Sequence, residues 1–113
     1  MGKLSRKALL AEGKRLNGIQ LNCNPYTFDN VLHYISNLET VPAGSYLCGN
    51  EENEKRVNEI IKKIRERFPN SIGCGRAQLY YSAGLYGNNG QLYLMYILDS
   101  DGNRTENDFY IYF

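Results

Sequence analysis

The sequence predicts an α+β domain in which a C-terminal β-meander packs on an amphipathic helix. Three observations point there. Apolar residues in 51–68 recur at helical spacing, the period changes to two from Ala77 onward, and glycine- and asparagine-rich turns separate the alternating runs. The expected architecture is two-layered. It has a three- to four-stranded antiparallel sheet against that helix, with two further N-terminal helices, all in a single domain spanning 1–113. A domain of this length buries roughly 65% of its unfolded surface, enough for a core without metal or disulfide staples.

Segment 51–68 carries the longest helical pattern. Val57, Ile60, Ile61, Ile64 and Phe68 form one stripe, and Asn50 precedes it as an N-cap. Glu51, Glu52 and Glu54 sit at the positive end of the helix dipole, Arg65 and Arg67 at the negative end. Glu51–Lys55, Glu52–Arg56 and Glu59–Lys63 are spaced for ion pairs along the helix, and Pro69-Asn70 ends it.

Segment 27–39 reads as a helix capped by Thr27. Phe28, Val31, Leu32, Ile35 and Leu38 share one face; Asp29, His33, Ser36 and Asn37 share the other. Pro42 and Gly44 break the pattern, and Ser45-Tyr46-Leu47-Cys48 reads as a short strand. Segment 5–16 is a third helix, capped by Ser5, with a partial stripe of Ala8, Leu9 and Leu16. Gly13 weakens it by about 1 kcal/mol relative to alanine. Asn17-Gly18 stops it, and Ile19-Gln20-Leu21 is a short extended piece.

The meander begins with Ala77, Leu79, Tyr81, Ala83 and Leu85 alternating with Gln78, Tyr80, Ser82, Gly84 and Tyr86. Gly87-Asn88-Asn89-Gly90 signals a hairpin, since Asn and Gly accept positive φ. An Asn89-Gly90 loop would set Leu85 opposite Leu94, Ala83 opposite Tyr96, Tyr86 opposite Tyr93 and Gly84 opposite Met95. Asp99–Asn103 is the second turn; it lacks the sixth-position glycine and twelfth-position glutamate of a calcium loop, which are Arg104 and Tyr110 here. The last strand alternates Phe109, Ile111 and Phe113 with Asp108, Tyr110 and Tyr112. One expected sheet face is Leu79, Leu85, Leu92, Leu94, Leu98, Phe109 and Ile111, the floor for helix 51–68. The other carries Tyr80, Tyr86, Tyr93, Met95, Tyr110 and Tyr112.

Net charge is +1, so no global basic field draws the chain to nucleic acid or membrane. The apolar run 8–11 is too short for a signal-peptide core or a membrane span, which predicts a cytoplasmic protein without a membrane partner. Three widely spaced cysteines, Cys23, Cys48 and Cys74, fit reduced, buried thiols. With His33 they make a Cys₃His set numerically, but no close pair aims two ligands at one ion, so no metal is expected. Abundant Asn, Tyr, Ile and Lys suggest a low-GC bacterium or its phage.

Functionally, the Tyr face is the leading feature. Tyrosine joins a large apolar ring to a hydroxyl that prefers a wet edge, a combination favoured at interfaces. The expectation is a non-enzymatic protein-binding module with no cofactor. It would be of the inhibitor type carried by phages and mobile elements, and would use Tyr80, Tyr86, Tyr93, Met95, Tyr110 and Tyr112 with Arg76 at the rim. High β propensity and cross-strand aromatic pairing explain the same tyrosines without any partner. One alternative is ligand or nucleotide sequestration, possible in an oligomer, with Tyr stacking on a base and Arg76 or Arg104 meeting phosphate. Nucleic acid is a related partner, through Arg76 and the basic faces of 3–15 and 55–67. A third alternative is an enzyme pairing a cysteine with His33. Gly73-Cys74-Gly75-Arg76 follows a helix and precedes a strand, the reverse of a phosphate-cradling turn, and reads as a connection.

Overall fold

A computed structural model describes residues 4–82 and 90–113. In chain order these form α1 (Arg6–Arg15), β1 (Ile19–Gln20), α2 (Pro25–Asn37), α3 (Glu51–Arg67), β2 (Cys74–Ser82), β3 (Gly90–Leu98) and β4 (Arg104–Tyr112). The fold is α+β, with strand order β1-β4-β3-β2. β2, β3 and β4 form the antiparallel meander, while β1 joins β4 in parallel, pairing Ile19 with Ile111 and Gln20 with Tyr112. The sheet is therefore mixed, not purely antiparallel.

Each helix start follows from a capping side chain. Ser5 accepts the Ala8 N–H, and Asn50 accepts the Asn53 N–H at 2.8 Å. In α2 the cap is Asn24, not Thr27. Its Oδ1 accepts the Thr27 N–H at 2.9 Å, and Pro25 occupies the first turn, where a missing N–H costs nothing. Two of the three expected α3 ion pairs form, Glu52–Arg56 at 3.2 Å and Glu59–Lys63 at 3.4 Å. Glu51–Lys55 is not among the ion pairs of the described residues. Residues 45–48 do not form a strand; they are an irregular loop and turn bound to α3, as described below.

The apolar stripes of α2 and α3 are buried together with Cys74, Met95, Ile97, Ile111 and Phe113. Leu9 of α1 is buried with Leu92 and Tyr112, with Leu79, Tyr80 and Tyr110 packed around them. Side chains alternate across a strand, so Ile111 and Tyr112 lie on opposite faces. α2 and α3 thus cover one face of the sheet and α1 covers part of the other. This replaces the expected two-layer packing.

That packing also corrects the expected faces and register. Leu94 pairs with Ala77, Tyr93 with Gln78 and Met95 with Arg76. An Asn89-Gly90 loop would have required Leu85, Tyr86 and Gly84 there. Between β3 and β4, Leu92 pairs with Tyr112, Leu94 with Tyr110, Tyr93 with Ile111 and Met95 with Phe109. Tyr93 and Met95 therefore share the α2 face with Phe109 and Ile111. Tyr110 and Tyr112 share the α1 face with Leu92 and Leu94. A bulge between Gln78 and Tyr80 brings Leu79 and Tyr80 onto the α1 side together, where strict alternation separates them. A single Tyr face does not form. The physical reason is that helices bury both faces, so tyrosine-against-leucine alternation no longer marks outside against inside.

The turn at 99–103 is a hairpin connection. Asp99 Oδ1 accepts the N–H groups of Asp101 and Asn103, both at 2.9 Å, and Gly102 supplies φ +82°. Among the described residues no helix is long and apolar enough to cross a membrane.

Candidate interaction surfaces

The residues expected to recognise a partner are dispersed. Met95 is fully buried and Tyr112 is 4% exposed. Tyr93 is half-buried with its ring against Phe28, centroids 5.7 Å apart, and burial raises its hydroxyl pKa. Arg76, exposed, faces the α2 side near Tyr93 and Asp29, where its charge opposes that rise. Tyr80 and Tyr110 remain half-buried on the α1 side near the exposed Arg15. Tyr86 lies outside the described residues. Arg104 stacks on the Tyr96 ring at 4.5 Å and pairs with Asp108 at 3.2 Å, and that ring also closes over Gly75.

The most exposed aromatic side chains lie elsewhere. Tyr26 is 84% exposed, Tyr46 60%, and Leu47 45%. Asn30 Nδ2 donates to the Leu47 carbonyl at 2.8 Å, and Gly49 packs on Thr27. Residues 46–49 therefore run along the first two turns of α2, beside the face that carries Tyr26 and, one turn on, Asn30. The loop is fixed by a buried carboxylate. Glu54 Oε1 accepts the Ser45 hydroxyl and the Tyr46 N–H, each at 2.9 Å, while Glu54 itself is 5% exposed. Buried Asn53 donates to the carbonyls of Asn22 and Cys48, at 2.8 and 3.0 Å, tying the same loop to the segment before α2.

Held this way, Tyr46 adopts φ +56°. The left-handed region costs a non-glycine residue about 1–2 kcal/mol. That cost is borne by a tyrosine whose ring projects into solvent. Sequence periodicity had no access to this surface. Its one signal was a tyrosine placed among Pro42, Gly44 and Gly49.

The cysteines do not favour a nucleophile. Burial pushes the Cys23 thiol up to about 12 and those of Cys48 and Cys74 up to about 11, from an ordinary 9.0. A reactive cysteine needs the opposite shift. His33 is exposed, with Nε2 3.7 Å from Glu39 and Asn37 alongside. Among the described residues no three His, Cys, Asp or Glu side chains gather as a metal site would require.

A pH prediction follows from the thiols. Between about pH 9 and 11 the unfolded chain releases thiol protons that the folded chain keeps, so stability falls as pH rises through that window. Native protein at pH 8 should react slowly with a thiol-specific chromophoric reagent, and the three cysteines should react fully once urea unfolds the chain. Rapid native reaction of Cys48 or Cys74 would contradict the burial described here.

Comparison with known proteins gives no match to a family model, to a curated protein or to a solved structure.

Proposed function

We propose that this chain is a non-enzymatic protein-binding module, and that it presents Tyr26, Tyr46 and Leu47 to its partner. The observation that carries the reading is the clamped loop at 45–49. Buried Glu54 holds Tyr46 in a left-handed conformation and leaves its ring in solvent. Strain of this kind persists only where the surroundings over-determine it, and exposed, pre-positioned aromatic rings are typical interface anchors. An inhibitor of the type carried by phages and mobile elements is one form such a module takes. The reading moves the binding residues away from the sheet tyrosines, which mostly serve packing.

The test uses Tyr26→Ser, Tyr46→Gly and Leu47→Ser combined. Tyr46→Gly removes an exposed ring and a left-handed strain, so stability should hold or rise by up to about 1 kcal/mol. Binding partners are identified by affinity capture and confirmed with purified proteins by calorimetry. Such a partner should bind the wild type and lose at least about tenfold in affinity for the triple variant, equivalent to about 1.4 kcal/mol. Glu54→Ala, which frees the loop but keeps all three side chains, should weaken binding by a smaller factor. A confirmed partner that binds the folded triple variant with unchanged affinity would refute this surface.

A further inference from the structure

A second surface lies at the other end of α3, and it goes beyond the reading above. β1 is only two residues long and covers β4 at Ile111 and Tyr112 alone. Among the described residues, the remainder of β4, from Arg104 to Tyr110, pairs with no other strand on its outer side.

The direction of its backbone groups follows from the ladder. The Leu98 N–H donates to the Gly73 carbonyl at 2.9 Å, so even-numbered residues of β3 bond toward β2 and odd-numbered ones toward β4. Met95 and Tyr93 therefore exchange bonds with Phe109 and Ile111. Asp108 then turns its N–H and C=O to the open edge. The Tyr112 carbonyl obeys the same rule, accepting the Leu21 N–H at 2.9 Å on that side.

A bulge sits at the end of this edge. Ile97 alone spans the gap that Thr105, Glu106 and Asn107 fill on β4. The Thr105 hydroxyl donates to the Ile97 carbonyl at 2.7 Å, taking the place of a ladder N–H, and Glu106 and Asn107 turn outward.

Between this edge and α3 runs a groove of about 350 Å³, continuing past Arg67 and Phe68 into a second space of about 380 Å³. Its floor includes Ile64, Phe68, Ile97 and Phe109. The helix wall carries Lys63 and Arg67. Arg67 lies over the Phe68 ring at 5.4 Å and has no carboxylate partner among the described residues. The strand wall carries Glu106 and Asp108, and Asp108 is already matched by Arg104.

An open strand edge beside an apolar groove is the arrangement that takes an added strand. Main-chain bonds supply affinity, and alternate side chains enter the groove. We propose that this groove binds an extended segment of another protein, added as a strand on β4, with an apolar and an acidic residue two positions apart. Both side chains then point toward α3. The apolar one rests on Ile64 and Phe109, and the acidic one meets Arg67. Arg67 selects this chemistry: Lys63 is already paired with Glu59 at 3.4 Å, and the exposed Glu106 stands on the strand wall, so Arg67 is the helix-wall charge without a carboxylate partner among the described residues.

A display library of random eight-residue peptides is the probe. Peptides enriched on the full chain should share the apolar-x-acidic spacing. Binding should slow hydrogen exchange of the Asp108 amide and leave that of Tyr46 unchanged, which separates this site from the Tyr26–Tyr46–Leu47 surface. Arg67→Glu should weaken binding at least tenfold. Asp108→Pro removes the outward N–H, which an edge strand tolerates, along with the exposed ion pair to Arg104, and should weaken it comparably. If Asp108→Pro does not fold, Arg67→Glu and the Asp108 amide decide the matter. No enrichment, enrichment of basic peptides, equal binding to Arg67→Glu, or a dimer of the chain that protects the Asp108 amide would each overturn the proposal.

Discussion

Replacing Phe28 with alanine is expected to remove about 3–5 kcal/mol of folding stability, measured as a shift in the urea midpoint at constant slope. The side chain is fully buried, with its ring 4.6 Å from that of Phe113 and 5.7 Å from that of Tyr93. With Val31, Leu32 and Ile35 it seats α2 on the sheet. Truncation loses the transfer energy of the ring and leaves a cavity between two aromatic neighbours anchored in or beside separate strands. A domain of this size is stable by about 5–15 kcal/mol, so the variant sits near the threshold of folding. A loss below about 1 kcal/mol would mean that α2 is not seated as described. The same variant bears on function, because α2 carries Tyr26 and orients the 45–49 loop through Asn30.

Much of the helical layer was legible in the sequence. The stripes Phe28–Val31–Leu32–Ile35–Leu38 and Val57–Ile61–Ile64 form a continuous core, since a period near 3.6 has only one way to bury such a face. Ser5 and Asn50 act as read. The Asn24 cap was available too, because Pro25 behind it marks a first helical turn, but Thr27 also has a capping hydroxyl and stands closer to the apolar run. β1 was suggested as an extended piece, although its parallel pairing was not. A two-residue strand has no period, and its partner is far along the chain.

The sheet faces were not legible, and the reason is general. Alternation indicates which residues share a face, but only a solvated face shows which set points inward. Here Tyr112 is buried under α1 while Ile111 is buried under α2, so both sets are interior. The bulges at Leu79 and at Thr105–Asn107 then shift the alternation, and nothing in the residue types announces them. The interaction surfaces were hidden for a related reason. Tyr46 is presented by a hydrogen bond from its N–H to Glu54, eight positions later, which no local pattern contains. The groove beside β4 exists because β1 stops after two residues.

Gly73→Ala is expected to cost as much as the loss of Phe28, by the opposite mechanism of crowding. Gly73 is buried at φ +150°, a conformation that a side chain strains by about 1–3 kcal/mol. An added Cβ would also fall well inside van der Waals contact with the Ser36 carbonyl oxygen at the end of α2. That neighbour is backbone, so it cannot rotate aside, and overpacking adds about 1–3 kcal/mol. Three hydrogen bonds fix the residue. Its carbonyl accepts the Leu98 N–H and the Ser71 hydroxyl, and its N–H donates to Ser71 Oγ. The sum is about 2–6 kcal/mol, with a fall in melting temperature of roughly 8–48 °C at about 4–8 °C per kcal/mol. Gly44→Ala is the control. It shares a positive φ, +73°, but has open space around its Cβ position, so its loss should be confined to backbone strain. Equal losses for the two variants would show that the close approach of α2 to β2 contributes nothing. A larger loss at Gly73 identifies that approach as the reason glycine stands directly before the first strand of the meander.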